Sequence, residues 1–417
     1  MTDADKTKDM VGHLQMSLYG TRDAAKNWQE EVARMMKAWG FMQGAYNPCL
    51  YYHPKWDIAT LVHGDDFVSA GNEVNLRAFR TKLEERFKIK TQIVGHGGRE
   101  DVQSEARVLN RIVRATEDGW EYEADQRHIE MLIDGLGLGQ AKSVCTPGEE
   151  EKKWEEEENK EELSAEEARR FRGHAARLNY LAADRPDIAY SVKEVCRAMA
   201  KPTKGAWKKL KRIVRYLVEA RRTVTEYPWQ GQEGEVEAYT DSDWAGCRQT
   251  GRSTSGGAIT IGDHFIKAWA STQASVTLSS AEAELVAMTK ATAEVMGILN
   301  MVRDLGEKKH GIVYADSSAA LAIADRKGSG KLRHINVRML WLQEKERRGE
   351  VELRKIKGEL NPADLMTKYM PGTRVADLMR RIGQRRKEGK AKAALELQGT
   401  RRQPRDPNTE RQGRPGQ

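Results

Sequence analysis

Val236-Glu237-Ala238-Tyr239-Thr240-Asp241-Ser242-Asp243-Trp244 alternates apolar and polar side chains, the period of a half-buried strand, and then delivers acidic residues at its end. Asp241 is therefore expected at an open rim. Working outward, 256–261 and 265–271 read as two further strands, joined through Gly262-Asp263-His264 as an antiparallel hairpin. Ser279-Ser280-Ala281-Glu282 places a glutamate three residues after a serine, the pattern of a capping box, which puts Glu284 at the start of a helix. Leu285, Met288, Val295, Ile298, Leu299 and Val302 then recur at helical spacing, and Gly306 stops the run. Ile312-Val313-Tyr314 is a short apolar strand ending at Asp316, with Ser317 and Ser318 available to cap the Ala-rich helix behind it. A last strand is expected over 351–357. Asn361-Pro362-Ala363-Asp364 follows as N-cap, proline at N1 and acid at N3.

Any single aspartate or glutamate is ordinarily a cap or a solvated charge. Glu282 and Asp243, each two residues from a stronger candidate, are read that way. What distinguishes Asp241, Glu284, Asp316 and Asp364 is joint placement, one acid at each of four successive strand or helix junctions. Four carboxylates that converge would be suited to holding two divalent cations, the arrangement that in-line hydrolysis of a phosphodiester uses.

YTDSDWAG (239–246), GRSTSGG (251–257), TLSSAEAEL (277–285), VYADSSAAL (313–321), RHINVR (333–338) and NPADLMTK (361–368) occur in that order. Together they closely resemble the ribonuclease H domain of copia-type LTR retrotransposon Pol polyproteins. Upstream, SLYGTRDAAKNW (17–28), LVHGDDFVSAG (61–71) and AADRPDIAYSV (182–192) resemble the palm, the polymerase metal-binding turn and the connecting region of the same polyproteins' reverse transcriptase. The resemblance covers roughly residues 14 to 371.

The resemblance implies a mixed α and β multidomain chain. Its C-terminal part would be a ribonuclease H-like fold, a mixed five-stranded sheet with flanking helices. Asp241 would bridge two Mg²⁺ ions (Mn²⁺ being an alternative), Glu284 and Asp316 would complete one site, and Asp364 would hold the other. The substrate would be the RNA strand of an RNA/DNA hybrid, recognised through its 2′-hydroxyls and cut endonucleolytically. Many cellular relatives carry a mobile histidine just before the last acid. Residues 355–360 contain none, so no histidine is assigned a role.

The polymerase half departs from its pattern. Residues 58–63 and 67–70 read as strands joined by Gly64-Asp65-Asp66, a hairpin tip whose paired carboxylates suit magnesium. The copia-type turn usually has an aromatic residue where His63 stands and a valine where Gly64 stands. A third aspartate on an earlier strand and the fingers are not found. Asp3 and Asp5 lie in a polar segment without an apolar strand to carry them. The expectation is that this polypeptide alone does not polymerise DNA.

The expected organisation is a truncated palm and thumb (1–148), an acidic linker (149–163), a helical connection (164–228), a ribonuclease H domain (234–371) and a basic, disordered tail (372–417). From Pro371 onward Lys and Arg outnumber Asp and Glu by 13 to 5, a surplus equal to the whole chain's +8. Residues 149–167 hold 11 Glu against 3 Lys, a poor surface for phosphate. Lys201, Lys204, Lys208, Lys209, Lys211, Arg212 and Arg215 crowd one helix that also presents Trp207, Leu210, Ile213, Val214 and Leu217. A solvated basic face is the ordinary reading. Lys208, Lys209 and Arg212 are the candidates for tracking a duplex. Trp28, Trp154, Trp207 and Trp341 are read as packing residues.

Cys49, Cys145, Cys196 and Cys247 are widely spaced, without a paired zinc signature, and read as reduced thiols. No apolar run approaches the ~20 residues that a membrane crossing needs. The expectation is an intracellular protein, of cytoplasm or nucleus, with no membrane partner. Its partners would be hybrid or other nucleic acid and other Pol or Gag products. Two alternatives stand beside the nuclease: a noncatalytic nucleic-acid-binding or assembly protein, and a reverse transcriptase completed by a separate chain.

Overall fold

The computed structural model describes residues 17–18, 20–97, 99–150, 158–231, 234–328 and 337–395. Asp3, Asp5 and Trp154 lie outside them, as do most of RHINVR and residues 396–417.

Helix α1 (Ala24–Ala38) opens the described chain, followed by β1 (Met42–Gln43), β2 (Leu50–His53), β3 (Ile58–His63), β4 (Asp66–Ala70) and α2 (Glu73–Arg86). The four strands pair antiparallel in sequence order. Val32, Met35 and Met36 of α1 meet Phe41, Tyr51, Ile58, Phe79 and Leu83 in one small core. The Trp28 indole N–H donates to the Gly64 carbonyl at 2.8 Å, so α1 holds the β3–β4 tip. Gly64, at φ +60°, adopts the left-handed conformation that a tight turn requires. Asp66 already pairs with His63, which makes it the first residue of β4 rather than part of the turn.

The next elements are β5 (Ile93–Val94), β6 (Val102–Gln103), β7 (Glu105–Val108), β8 (Arg111–Thr116), β9 (Gly119–Ala124) and α3 (Arg127–Gly135). Three helices follow, α4 (Ala165–Ala182), α5 (Pro186–Arg197) and α6 (Lys204–Glu219), then strand β10 (Thr223–Pro228). Ser164 and Glu167 form a reciprocal capping box at the start of α4. Ile129, Leu132, Phe171, Leu178, Leu181, Ile188, Leu210, Ile213 and Leu217 interlock the four helices.

β10 does not stay with the helices. It pairs with β9 on one side and with β16 (Gln384–Arg386) on the other, giving the antiparallel order β16-β10-β9-β8-β7. One sheet thus draws on segments expected in the palm and thumb, the connection and the tail. Its charged side chains are internally matched: Arg114 reaches Glu105 and Glu121 at 2.6 Å and Glu123 at 3.1 Å, and Arg222 meets Glu123 at 2.8 Å.

The tail is therefore not disordered from residue 372 onward. Helix α10 (Gly372–Arg381) and β16 are built there, and Val375, Leu378, Met379 and Ile382 are buried against Phe265, Ala363, Leu365 and Met366. Those four residues stand at helical spacing, a signal that the surrounding arginines masked in a reading by composition.

The remaining domain contains β11 (Val236–Asp243), β12 (Thr254–Ile261), β13 (His264–Thr272), α7 (Ser280–Asp304), β14 (Gly311–Ala315), α8 (Ser318–Asp325), α9 (Val337–Arg347) and β15 (Glu352–Lys355). Two 3₁₀ turns, Gly358–Leu360 and Pro362–Met366, lead to α10. Sheet order is β13-β12-β11-β14-β15, with β11, β12 and β13 antiparallel, and β14 and β15 running parallel to β11. This is the mixed five-stranded sheet expected of a ribonuclease H-like fold. On one face α7 packs Ala291, Val295 and Leu299 against Val236, Ala238, Ile259 and Val313. α10 and the second 3₁₀ turn cover part of the sheet through Ala258 and Phe265.

α7 is, by length and composition, apolar enough to cross a membrane, although Glu282, Glu284, Lys290 and Glu294 keep it from being an unbroken apolar run. Here it lies across the sheet. Its last residue, Asp304, also accepts from the backbone N–H groups of Ala45, Tyr46 and Asn47 at 2.8 to 3.3 Å, tying the N-terminal module to this domain.

Candidate metal centre

The register of β11 against β14 builds the first half of the site. Thr240 pairs with Ala315, the last residue of β14, so Asp241 and Asp316 leave adjacent parallel strands side by side. The third acid comes from α7. Ser279 caps that helix by accepting from the Glu282 N–H, and Glu282 accepts from Leu278 N–H instead of closing the box on Ser279. Glu284, one turn in, accepts from the Ser242 N–H at 3.2 Å. Ligand oxygens of Asp241, Glu284 and Asp316 all lie within 4.8 Å of one another.

Asp364 arrives by a different route. The buried Asn361 side chain donates to the Thr240 carbonyl at 2.9 Å and accepts from the Ala363 N–H at 3.1 Å, pinning the 3₁₀ turn beside Asp241. Gly256, opposite Asp241 on β12, leaves the room. A Cβ there would come within 2.5 Å of Thr367 Cγ2 and 2.9 Å of Met366 Cβ. Asp364 is not part of the close trio. Its Oδ1 lies 2.6 Å from Lys368 Nζ, which also approaches Asp241 Oδ2 at 3.4 Å, and Arg374 stands 3.7 Å from its Oδ2. The Thr367 hydroxyl donates to Asp241 Oδ2.

Electrostatics mark the trio as short of positive charge. Asp241 is 3% and Glu284 8% exposed, and Glu284 Oε2 is buried without a hydrogen-bond partner. Burial, and then the charges of Asp241 and Asp316, push the Glu284 carboxyl up to about 9. Burial and Asp241 raise Asp316 as well. Desolvated carboxylates crowded together with an orphaned oxygen are what a divalent cation would relieve, so these residues fit the ion that the resemblance implies.

The other candidates are not brought to this site. Asp65 and Asp66 are exposed at the β3–β4 tip, and among the described residues no third metal-binding side chain joins them. On α6, Lys208 is exposed, Lys209 is half-buried, and Arg212 is engaged by Glu149 at 2.8 Å and Thr146 at 2.9 Å. The end of the acidic stretch lies along the start of this basic helix, where Lys204 meets Glu161 at 2.6 Å. Trp28 and Trp207 pack against cores as expected.

Sequence reasoning missed Thr367, Lys368 and Arg374. The first two stand inside the NPADLMTK motif, and Lys368 lies four residues beyond Asp364, a spacing at which a lysine commonly returns to an acid. Gln273 was also missed. Its buried amide donates to Ser255 Oγ at 3.0 Å and to the Ala283 carbonyl at 2.9 Å, joining β12 to the first turn of α7 beside Glu284.

No protein-family model matches the chain. It is 28% identical over 382 residues to the retrovirus-related Pol polyprotein from transposon TNT 1-94 of Nicotiana tabacum, covering 87% of this chain and 27% of that protein. It is 26% identical over 381 residues to the corresponding polyprotein from transposon RE2 of Arabidopsis thaliana, covering 90% of this chain and 25% of that one. The chain thus spans about a quarter of the length of the curated relatives it matches. Among solved structures, LC11-RNase H1, isolated from compost, aligns at 15% identity and a TM-score of 0.23, over 32% of this chain and 92% of that chain. The sheet topology described above stands on its own strand pairing. Along some nine-tenths of its length, the chain is thus similar to retrovirus-related Pol polyproteins of plant transposons, consistent with the copia-type motifs it carries.

Proposed function

We propose that this chain hydrolyses the RNA strand of RNA/DNA hybrids in a reaction that depends on divalent metal. The observation that carries the proposal is the convergence of Asp241, Glu284 and Asp316 within 4.8 Å at the end of two parallel strands, with Glu284 Oε2 left without a partner. Asp241, Glu284 and Asp316 would hold one ion, and Asp241 with Asp364 a second. When bound, such ions supply the charge that makes water nucleophilic at neutral pH and that stabilises the oxygen leaving phosphorus.

The chain's own groups prepare that site. The Ser242 N–H holds Glu284 Oε1, which fixes the carboxylate and leaves Oε2 buried without a partner. With its carboxyl pushed up to about 9, Glu284 would hold a proton at neutral pH that a bound cation would displace, so uptake is expected to tighten as pH rises toward 9. Trp244, Val276 and Leu278 are exposed beside the end of β11 and the start of α7, an apolar rim suited to sugar and base faces of a bound duplex.

That this chain alone does not polymerise DNA is part of the same proposal. A labelled hybrid incubated with Mg²⁺ or Mn²⁺ tests the nuclease. Cleavage that chelator abolishes, and that Asp241→Asn reduces to background without loss of fold, is the expected result. Equal cleavage by wild type and Asp241→Asn would reject the site. A primer-extension reaction on an RNA template should yield no product.

A further inference from the structure

The two halves of the acidic site differ in what already neutralises them. Around Glu284 and Asp316 the carboxylates crowd together, and one buried oxygen, Glu284 Oε2, has no hydrogen-bond partner. On the Asp364 side cations and a donor stand close by, although Asp364 Oδ1, ion-paired with Lys368, is also buried without a hydrogen bond. Lys368 Nζ lies 2.6 Å from Asp364 Oδ1 and 3.4 Å from Asp241 Oδ2, Arg374 stands 3.7 Å from Asp364 Oδ2, and Thr367 donates to Asp241 Oδ2.

We propose that the Lys368 ammonium is the resident counter-ion of the Asp241–Asp364 half-site, so that the resting chain takes up one divalent ion, between Asp241, Glu284 and Asp316, and admits a second only when Lys368 withdraws. This rests on the metal-dependent reading above and refines it. A hard divalent cation needs carboxylate oxygens that are not already neutralised, and an ammonium ion-paired with both partners competes for the same oxygens. Lys368 can leave without disturbing the core. Its side chain is 49% exposed and extends from the end of the 3₁₀ turn, and a lysine stem is a flexible four-carbon tether. An incoming phosphodiester offers that ammonium another anionic partner, and the same movement would expose Asp241 and Asp364 to the second ion.

The test is a count of Mn²⁺ ions bound by the full chain without nucleic acid, by titration calorimetry or electron paramagnetic resonance. Ions belonging to this site are those lost in Asp241→Asn. Wild type and Lys368→Arg should each bind one such ion. Lys368→Met, or Lys368→Gln should the methionine variant fail to fold, should bind two, the second at least tenfold tighter than any second ion in wild type. Two Asp241-dependent ions in wild type, unchanged by Lys368→Met, would overturn the inference and leave the metal site standing. One ion in both proteins overturns it equally. No Asp241-dependent ion in any of them would instead remove the metal-dependent reading on which it rests.

Discussion

Glu284→Gln should stabilise the metal-free protein at alkaline pH, an unusual sign for a change at a proposed active site. The wild-type carboxyl is held up to about 9, whereas in the unfolded chain it titrates near 4.5. Between those values the folded state keeps a proton that the unfolded state releases, so wild-type stability is greatest at acid pH and falls as pH rises toward 9. A displacement of that size sets a ceiling of roughly 6 kcal/mol. Asp316 is raised alongside it and Lys368 lies close by, so a coupled site should yield less, about 2 kcal/mol at pH 8. The glutamine should fit: its carbonyl can accept from the Ser242 N–H, and its amide, in place of Oε2, can donate toward Asp241 or Asp316. Thermal melts in chelator, at pH 5 and pH 8, provide the assay. The two proteins should melt together at pH 5, and at pH 8 the variant should melt roughly 4–8 °C higher. Added Mg²⁺ should reverse the order by stabilising wild type through binding. A melting difference that is the same at both pH values, or a variant less stable at pH 8 without metal, would refute the reasoning.

Gly256→Ala forces a methyl group against Thr367 and Met366 and should cost about 1–3 kcal/mol in denaturant titration, with hybrid cleavage reduced because the turn carrying Asp364 is displaced. Asp304→Ala removes the acceptor shared by three backbone N–H groups. Hydrogen exchange at residues 45–47 should accelerate severalfold while the core of α1 stays protected, and unchanged exchange would show that the N-terminal module is held by other contacts. Replacing Lys208 and Lys209 by glutamine should lower the slope of log hybrid affinity against log salt by about 1 to 2 if they track the duplex. An unaltered slope assigns them to the solvated face.

Local signals were enough for much of the site. Period-two alternation identified β11, serines 279 and 317 marked the starts of α7 and α8, and Asn361-Pro362 announced the turn before Asp364. Each depends on neighbours a few residues apart, where hydrogen-bonding and burial patterns are written directly into the chain. The order of acids at element ends likewise foretold the meeting of Asp241, Glu284 and Asp316.

What the chain does not spell out is pairing at long range. Nothing local joins β9 to β10 and β10 to β16, across more than a hundred residues each, because a strand's side chains specify a buried face and not the identity of its neighbour. The same physics explains why the arginine-rich segment after residue 371 builds α10 and β16. It also explains Asp364, which sequence order makes equal to the other three acids. Only the tertiary structure, by laying Thr367 and Lys368 over Asp241 and bringing Arg374 from α10, sets cations beside this carboxylate while Glu284 faces two other acids. Residue identity thus determined which groups could bind a cation, and three-dimensional proximity of fixed charges determined which of them remain open to one.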